Sequence, residues 1–363
     1  MKQARIIDDP IRTALAAYGL SGKVFHAPLI SAHPGFVLKK ILERGGKQRS
    51  RERHPGPEIV SDFGKLLEDE TIELIVINTP EHTHFELGKQ ALEAGKHVIV
   101  EKAFTVSTAE AQTLIDLASE KGKILSVFQN SRWHGDFITI QKIVEKRLLG
   151  ELAEFEAHFD RYRNTIQEDS WKEEAVPGTG SLYNLGSHII DQSLVLFGMP
   201  HAVWADIRIQ RPGGKVCDCF ELVLYYGQLK VTLKSSYLVR EPGPRYTLHG
   251  TAGSFIKYGG DPQEALLKAG KSPLDEDFGH EPESQWGTLN TQWEGLHFSG
   301  KIETCRGSYM GFYDNIYGAI REKASLAVTP VQAQQTIAVI EAALKSSEEK
   351  RIISLSESQT QHT

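Results

Sequence analysis

The stretch Ile11-Arg12-Thr13-Ala14-Leu15-Ala16-Ala17-Tyr18-Gly19-Leu20-Ser21-Gly22 decides how the chain is read. Its apolar run, Ile11 to Ala17, reads as a strand, and a helical pattern follows Gly22. A turn between them presents backbone amides at a helix N-terminus. Neither Gly19 nor Gly22 carries a side chain that would block an incoming pyrophosphate, and Ser21 adds a hydroxyl donor. Ala17 stands at the first glycine position of the usual fingerprint, which the turn tolerates only with a negative φ. A purely structural glycine turn is the competing reading of this segment alone.

The surrounding sequence repeats the same grammar. Phe36 to Leu42, Leu74 to Asn78, His97 to Val100 and Ile124 to Phe128 read as further strands. Helical patterns lie between them: Ser61 to Glu68 opening on a capping Ser61, Thr83 to Ala94 ended by Gly95, and Ser107 to Lys121 ended by Gly122. Such alternation builds a parallel sheet with helices on both faces. Beyond Phe128 the pattern changes. A helix from Phe137 to Arg147 stops at Gly150, and Phe155, Ala157 and Phe159 then alternate with Glu154, Glu156 and His158. Val203 to Gln210, Glu221 to Tyr226 and Lys230 to Tyr237 continue as strands, the last two facing each other across Gly227. One-sided alternation predicts a sheet with one covered and one wetter face. The boundary is therefore drawn at Phe128, with residues 1–128 as one domain and 129–363 as the other. Gly270 to Glu283 reads as a surface excursion, Val331 to Ser347 as a helix, Ile352 to Leu355 as a last strand, and Ser356 to Thr363 as a fraying polar tail.

Composition narrows the class. A chain of 363 residues with 40% hydrophobic and 24% charged content is globular and too long for one ordinary core. The net charge of -6 offers no basic field for nucleic acid. Met1 to Pro10 lacks a signal-peptide core and no window approaches a membrane span, so a cytoplasmic protein without nucleic-acid or membrane partners is expected. Cys217, Cys219 and Cys305 form no paired spacing, so neither a disulfide framework nor a metal site is expected.

Polar groups gather at the predicted strand ends, where open parallel sheets bind ligands. The second strand leads into Glu43-Arg44, about two dozen residues after the glycine turn, where a dinucleotide domain reads the adenosine ribose. Glu43 accepts from a 2′-hydroxyl and repels a 2′-phosphate, whereas Arg44 attracts that phosphate. Lys47 and Arg49 read as solvated loop charges. Asn78-Thr79-Pro80 with His82 and His84, Glu101-Lys102, and Gln129-Asn130-Ser131-Arg132-Trp133 close the later strands. Lys102 follows Val98-Ile99-Val100. If half-buried there it polarises a hydroxyl or carbonyl; otherwise it is a surface cation. In the second domain, a helix from about Ser181 would set Asn184 and His188 one turn apart, with Asp191 beside His188. His188 is either a proton-transfer group or a core histidine bonded to Asp191. Arg161, Tyr162, Arg163 and Trp171-Lys172 suit a polyhydroxylated or anionic ligand, or are ordinary sheet-surface residues.

Five segments in this order resemble the glucose-fructose oxidoreductase / inositol dehydrogenase (Gfo/Idh/MocA) family: Tyr18 to Pro28, Thr79-Pro80-x-x-Thr83-His84, Ala94 to Val98 leading to Glu101-Lys102, Asn130-x-Arg132-Trp133, and Leu185-Gly186-Ser187-His188-x-x-Asp191. The Phe25-His26-Ala27-Pro28, Asp160-Arg161-Tyr162-Arg163 and Leu196-Phe197-Gly198 runs look most like its scyllo-inositol dehydrogenase-like branch. The resemblance implies an N-terminal Rossmann domain followed by an α+β domain with a large open, mostly antiparallel sheet, with substrate and nicotinamide meeting between them. It implies NAD or NADP as cofactor, held by Tyr18, Gly19, Leu20, Ser21, Gly22, Glu43, Arg44 and the groups at the later strand ends. It also implies Lys102 and His188 as catalytic residues, a polyol or sugar substrate, and a homodimer or homotetramer. Asn184 stands at a common catalytic aspartate and Ala103 at the usual proline after the lysine. Those two departures admit another reading, a catalytically silent nucleotide-binding sensor or regulatory protein. A reductase of imine or biliverdin-like substrates is a third.

Overall fold

A computed structural model describes residues 9–46 and 48–355 of the chain. The N-terminal residues 1–8, Lys47 and the polar tail 356–363 lie outside that description, including the reading of Ser356 to Thr363 as frayed. The chain divides into two compact units. The first runs to His134 and adds Pro262–Gly279 and Gly307–Gln334; the second comprises Gly135–Asp261, His280–Arg306 and the chain from Gln335 onward.

Six strands form the sheet of the first unit: β1 (Ile11–Ala16), β2 (Phe36–Leu42), β3 (Glu58–Val60), β4 (Leu74–Ile77), β5 (His97–Val100) and β6 (Leu125–Val127). They lie in the order β3-β2-β1-β4-β5-β6, and every pairing is parallel. This is the doubly wound Rossmann order, whose switch point lies between β1 and β4. β4 is buried along its whole length, as a strand covered on both faces must be. Ser107 caps the helix Thr108–Glu120 by accepting from the Glu110 amide at 3.2 Å. The helix expected over Ser61 to Glu68 is shorter than its pattern suggests. Only Gly64–Leu67 is helical, and Asp62, not Ser61, supplies the local acceptor, taking the Gly64 amide at 2.8 Å. β3 has no counterpart in the predicted strands, since three residues in a charged stretch carry no period. The helix Met310–Arg321 brings Phe312, Tyr313 and Ile316 into this unit's core.

The second unit is built on nine strands: β7 (Leu152–His158), β8 (Ala202–Arg208), β9 (Cys219–Tyr226), β10 (Leu229–Ser236), β11 (Tyr246–Gly250), β12 (Gly253–Lys257), β13 (Gly287–Trp293), β14 (Leu296–Ile302) and β15 (Ile353–Ser354). Their order is β14-β13-β12-β11-β7-β10-β9-β8-β15. Only β7 and β10 pair in parallel; the other pairings are antiparallel, including β9 with β10 across Gly227. Phe155, Ala157, Phe159, Leu222, Leu224, Val231 and Leu233 turn inward, and the helix Ser187–Phe197 packs on them through contacts such as Phe155–Phe197. Buried charges are paired here. Lys257 meets Glu281 at 3.0 Å, and Arg211 meets Asp218 at 2.9 Å and Glu173 at 2.8 Å.

Candidate active site

In the first unit the glycine turn leaves β1 at the switch point. Asn78, just past β4, ties that turn down: its backbone amide donates to Ala16 O at 2.6 Å, and its side-chain nitrogen donates to Ala17 O at 2.5 Å and Ser21 Oγ at 3.3 Å. Ala17 keeps a negative φ, as the missing glycine requires. The two glycines differ in purpose. A Cβ on Gly22 would collide with Ala17 O and approach Asn78 Nδ2 to 2.8 Å, so this glycine serves close packing of turn and strand. A Cβ on Gly19 would meet nothing within 4 Å, which leaves its backbone open to an approaching ligand. Leu20 is exposed beside it. A π-helical turn, Gly22–His26, then passes into the helix Ala27–Ala32.

Several buried polar atoms around this end of the sheet have no protein partner: the Tyr18 hydroxyl, Asn78 Oδ1 and both amide atoms of Gln129. A nucleotide is a ligand rich enough in donors and acceptors to satisfy such atoms, so the residues present fit a dinucleotide. Burial pushes the Tyr18 hydroxyl above its ordinary pKa. Glu43 is placed differently from a ribose contact standing free. Its carboxylate accepts from the amides of Arg49 at 2.8 Å and Ser50 at 2.9 Å and from the Ser50 hydroxyl at 2.5 Å, while Arg44 is exposed.

Glu101 and Lys102 follow β5. Glu101 is buried and accepts from the Lys102 amide at 3.1 Å; its other oxygen lies 3.0 Å from His26 Nε2, and His26 Nδ1 lies 2.7 Å from the Tyr313 hydroxyl. Burial alone would raise the carboxyl pKa, but the His26 hydrogen bond and the charges of His26 and Lys102 hold it below its ordinary value. Lys102 itself is half-buried, with Ala103 and Phe104 wholly buried behind it. The Lys102–Ala103 peptide is cis, and Phe104 has a φ of 101, a strained value for a side-chain-bearing residue.

The other residues singled out at strand ends have structural partners. His84 is wholly buried, its two ring nitrogens each 2.9 Å from a backbone carbonyl, Phe104 O and Thr79 O. It thereby pins the Thr79-Pro80 segment to the chain after Lys102. Thr83 donates to the Thr79 hydroxyl at 2.6 Å. Arg132 donates to Ala327 O at 2.7 Å and Gln332 Oε1 at 3.0 Å, and Trp133 stacks edge-on against Phe312 at 5.6 Å. Asn130 is buried at the close of β6.

In the second unit the segment from Ser181 opens as a π-helical turn, Leu182–Gly186, before the helix Ser187–Phe197. Asn184 and His188 are both half-buried, and the His188 ring lies 6.2 Å from Phe159; Asp191 is wholly buried. Arg161 donates to Asp160 O at 3.0 Å. The Tyr162 hydroxyl accepts from Arg240 at 2.7 Å, with that guanidinium 4.3 Å over the ring. Arg163 lies 5.9 Å from the Tyr237 ring, and Trp171 sits in a short 3-10 turn with Lys172 5.7 Å from its ring. Sequence reasoning gave no role to Ser50, Tyr313 or the imidazole of His26. No spacing flags them, because each meets its neighbours through the fold.

The doubly wound order, the glycine turn at the switch point and the lysine after β5 define a nucleotide-binding oxidoreductase scaffold. Residues 11–129 match the model of the oxidoreductase family's NAD-binding Rossmann fold, and residues 141–355 match that of its C-terminal alpha/beta domain. The chain belongs to the Gfo/Idh/MocA oxidoreductase family and carries its NAD(P)-binding fold. It is 40% identical to the scyllo-inositol 2-dehydrogenase (NADP(+)) IolW of Bacillus subtilis, over 96% of each chain. Among solved structures, the yvaA protein of Bacillus subtilis superposes with a TM-score of 0.93 at 39% identity, covering 98% of this chain and 100% of that one. An oxidoreductase from Bacillus cereus gives 0.87 at 34%, covering 95% and 99%.

Proposed function

We propose that the chain catalyses reversible oxidation of a secondary alcohol on a cyclic polyol or sugar of the inositol type. The observation that carries this reading is the 40% identity, spread over 96% of both chains, to an enzyme named for that class of substrate. The glycine turn with Tyr18, Asn78 and Gln129 would hold NAD(P), whose nicotinamide would supply or accept the hydride. The protein's own part is proton handling and orientation. His188 takes the hydroxyl proton, and the Lys102 ammonium donates a hydrogen bond to the same oxygen and stabilises its alkoxide character. Asn184 supplies hydrogen bonding without charge, so the imidazolium form of His188 gains less from it than from a carboxylate. Arg163, with Arg161, Tyr162 and Trp171, is assigned to the remaining hydroxyls. Arg132 is already committed to Ala327 and Gln332, which favours a structural part for it.

The test is a screen of NAD and NADP against inositol isomers, aldoses and their acids, read by reduced-nicotinamide absorbance. Turnover of a cyclic polyol supports the reading. Tight coenzyme binding with no absorbance change across the panel is the outcome expected of a silent sensor and would overturn it. We also assign a homo-oligomer, supported by Trp293, Leu296 and Phe298, large apolar side chains left exposed on the β13–β14 hairpin. Light scattering that returns a monomer at micromolar concentration would refute that assignment.

A further inference from the structure

The carboxylate that ends β2 does not stand free to grip a ribose hydroxyl. Glu43 is reached by three donors from its own loop, the amides of Arg49 and Ser50 and the Ser50 hydroxyl, and Ser50 is wholly buried beneath them. A carboxylate offers roughly four acceptor positions, so most of its capacity is spent inside the protein. These donors fix the direction of the carboxylate, since hydrogen bonds to an ionised acceptor are the strong ones. The loop so anchored is basic: from Arg44 to Arg53 the chain carries Arg44, Lys47, Arg49, Arg51 and Arg53 against Glu52 alone.

The anchored loop also has a direction. From Ser50 the backbone turns back on itself, with the amides of Arg53 and His54 both donating to Ser50 O at 3.1 and 2.7 Å. That turn carries the His54 ring edge-on to Tyr18 at 6.0 Å and onto Ser31 Oγ at 3.3 Å. Tyr18 belongs to the glycine turn, its hydroxyl is buried without a protein partner, and it feels the charge of Arg53. One end of the loop therefore starts at the close of β2 and the other reaches the glycine turn. These are the two places between which a dinucleotide fold holds the adenosine ribose.

We propose that Glu43 is a positioning residue that folds this loop so that Arg44 and Arg53 receive a 2′-phosphate, making the protein NADP-selective. The inference rests on the nucleotide-binding reading and not on the identity of the substrate. It reverses the usual expectation for an acid at this position. An acid that reads the ribose excludes the phosphate, so deleting it relaxes selectivity toward NADPH. An acid that builds the phosphate site does the opposite, and deleting it costs NADPH while leaving NADH nearly untouched.

The experiment is binding by the full chain, titrated with NADPH and NADH and with 2′,5′-ADP and 5′-AMP, followed by calorimetry so that no turnover is needed. Two charge-assisted contacts predict NADPH at least about tenfold tighter than NADH, and 2′,5′-ADP similarly favoured over 5′-AMP. The gap should narrow as salt is raised. Glu43→Ala should remove most of the NADPH advantage, and the exposed-site variants Arg44→Ala and Arg53→Ala should each lower NADPH affinity severalfold without changing NADH. NADH binding as tightly as NADPH, tighter NADPH binding by Glu43→Ala, or equal loss of both coenzymes in the arginine variants would each overturn the proposal. Should the polyol screen fail while these preferences hold, the substrate reading falls and this one stands.

Discussion

Glu101 shows how a buried charge is made tolerable. It has a histidine on one oxygen and the Lys102 amide on the other, and the histidine is in turn held by the Tyr313 hydroxyl. The two ring nitrogens of His26 thus bridge Glu101 and Tyr313. Removing one member strands the next. His26→Leu leaves an uncompensated carboxylate and should cost about 3–5 kcal/mol of stability. Tyr313→Phe removes one hydrogen bond and keeps the contact between His26 and Glu101, so about 1–2 kcal/mol is expected. Urea denaturation of both variants checks the ranking, and equal losses would show that His26 and Glu101 are not coupled. Lys102 was legible because the charged pair Glu101-Lys102 closing the apolar run Val98-Ile99-Val100 is conspicuous. Its supports were not, because His26 lies 75 positions from Glu101 and Tyr313 lies 287 from His26. Glu43 was legible as a residue of consequence, while the direction of its carboxylate depends on the Arg49 and Ser50 amides, which no pattern encodes.

Among elements, β5 carries a second titration that bears on stability. His97 opens the strand, and its Nδ1 accepts the Ile124 amide at 2.9 Å, so the ring must be unprotonated there. Burial, aided by the nearby Lys123 charge, lowers its pKa from 6.5 to about 4. Because the folded pKa lies below the unfolded one, the unfolded chain binds the extra proton first. Stability is intact above about pH 6.5 and is lost as pH falls toward about 4. In full the loss amounts to about 3 kcal/mol. His97→Asn keeps an acceptor for Ile124 without a titrating ring, so denaturation midpoints at pH 7.5 and 5 should differ less in the variant than in the wild type. An unchanged pH slope would assign the acid sensitivity elsewhere. Strands β1, β2, β4 to β10 and β15 were readable to within a few residues, since buried parallel strands are continuous apolar runs and part of the second sheet alternates, whereas β3 and β11 to β14 were not anticipated. The π-helical turns at Gly22–His26 and Leu182–Gly186 were not, because an i→i+5 bond pattern leaves no separate mark in composition.

At the scale of the whole chain, the two units are each assembled from three stretches of sequence. The amphipathic pattern of Met310–Arg321 says that it has an apolar face, not which sheet that face will cover; Tyr313 in the first unit's core answers this only in the fold. The order of motifs along the chain was the legible part, and it is the part that both family models match. The proposed chemistry is hydride transfer to and from a cyclic polyol, with Lys102 acting on the reacting oxygen. The most direct measurement pairs steady-state turnover with coenzyme titration in Lys102→Met and the wild type, using the best polyol from the screen. The prediction is a loss of about a hundredfold or more in turnover, with the coenzyme dissociation constant within about threefold of wild type. Turnover equal to wild type in Lys102→Met would contradict the claim.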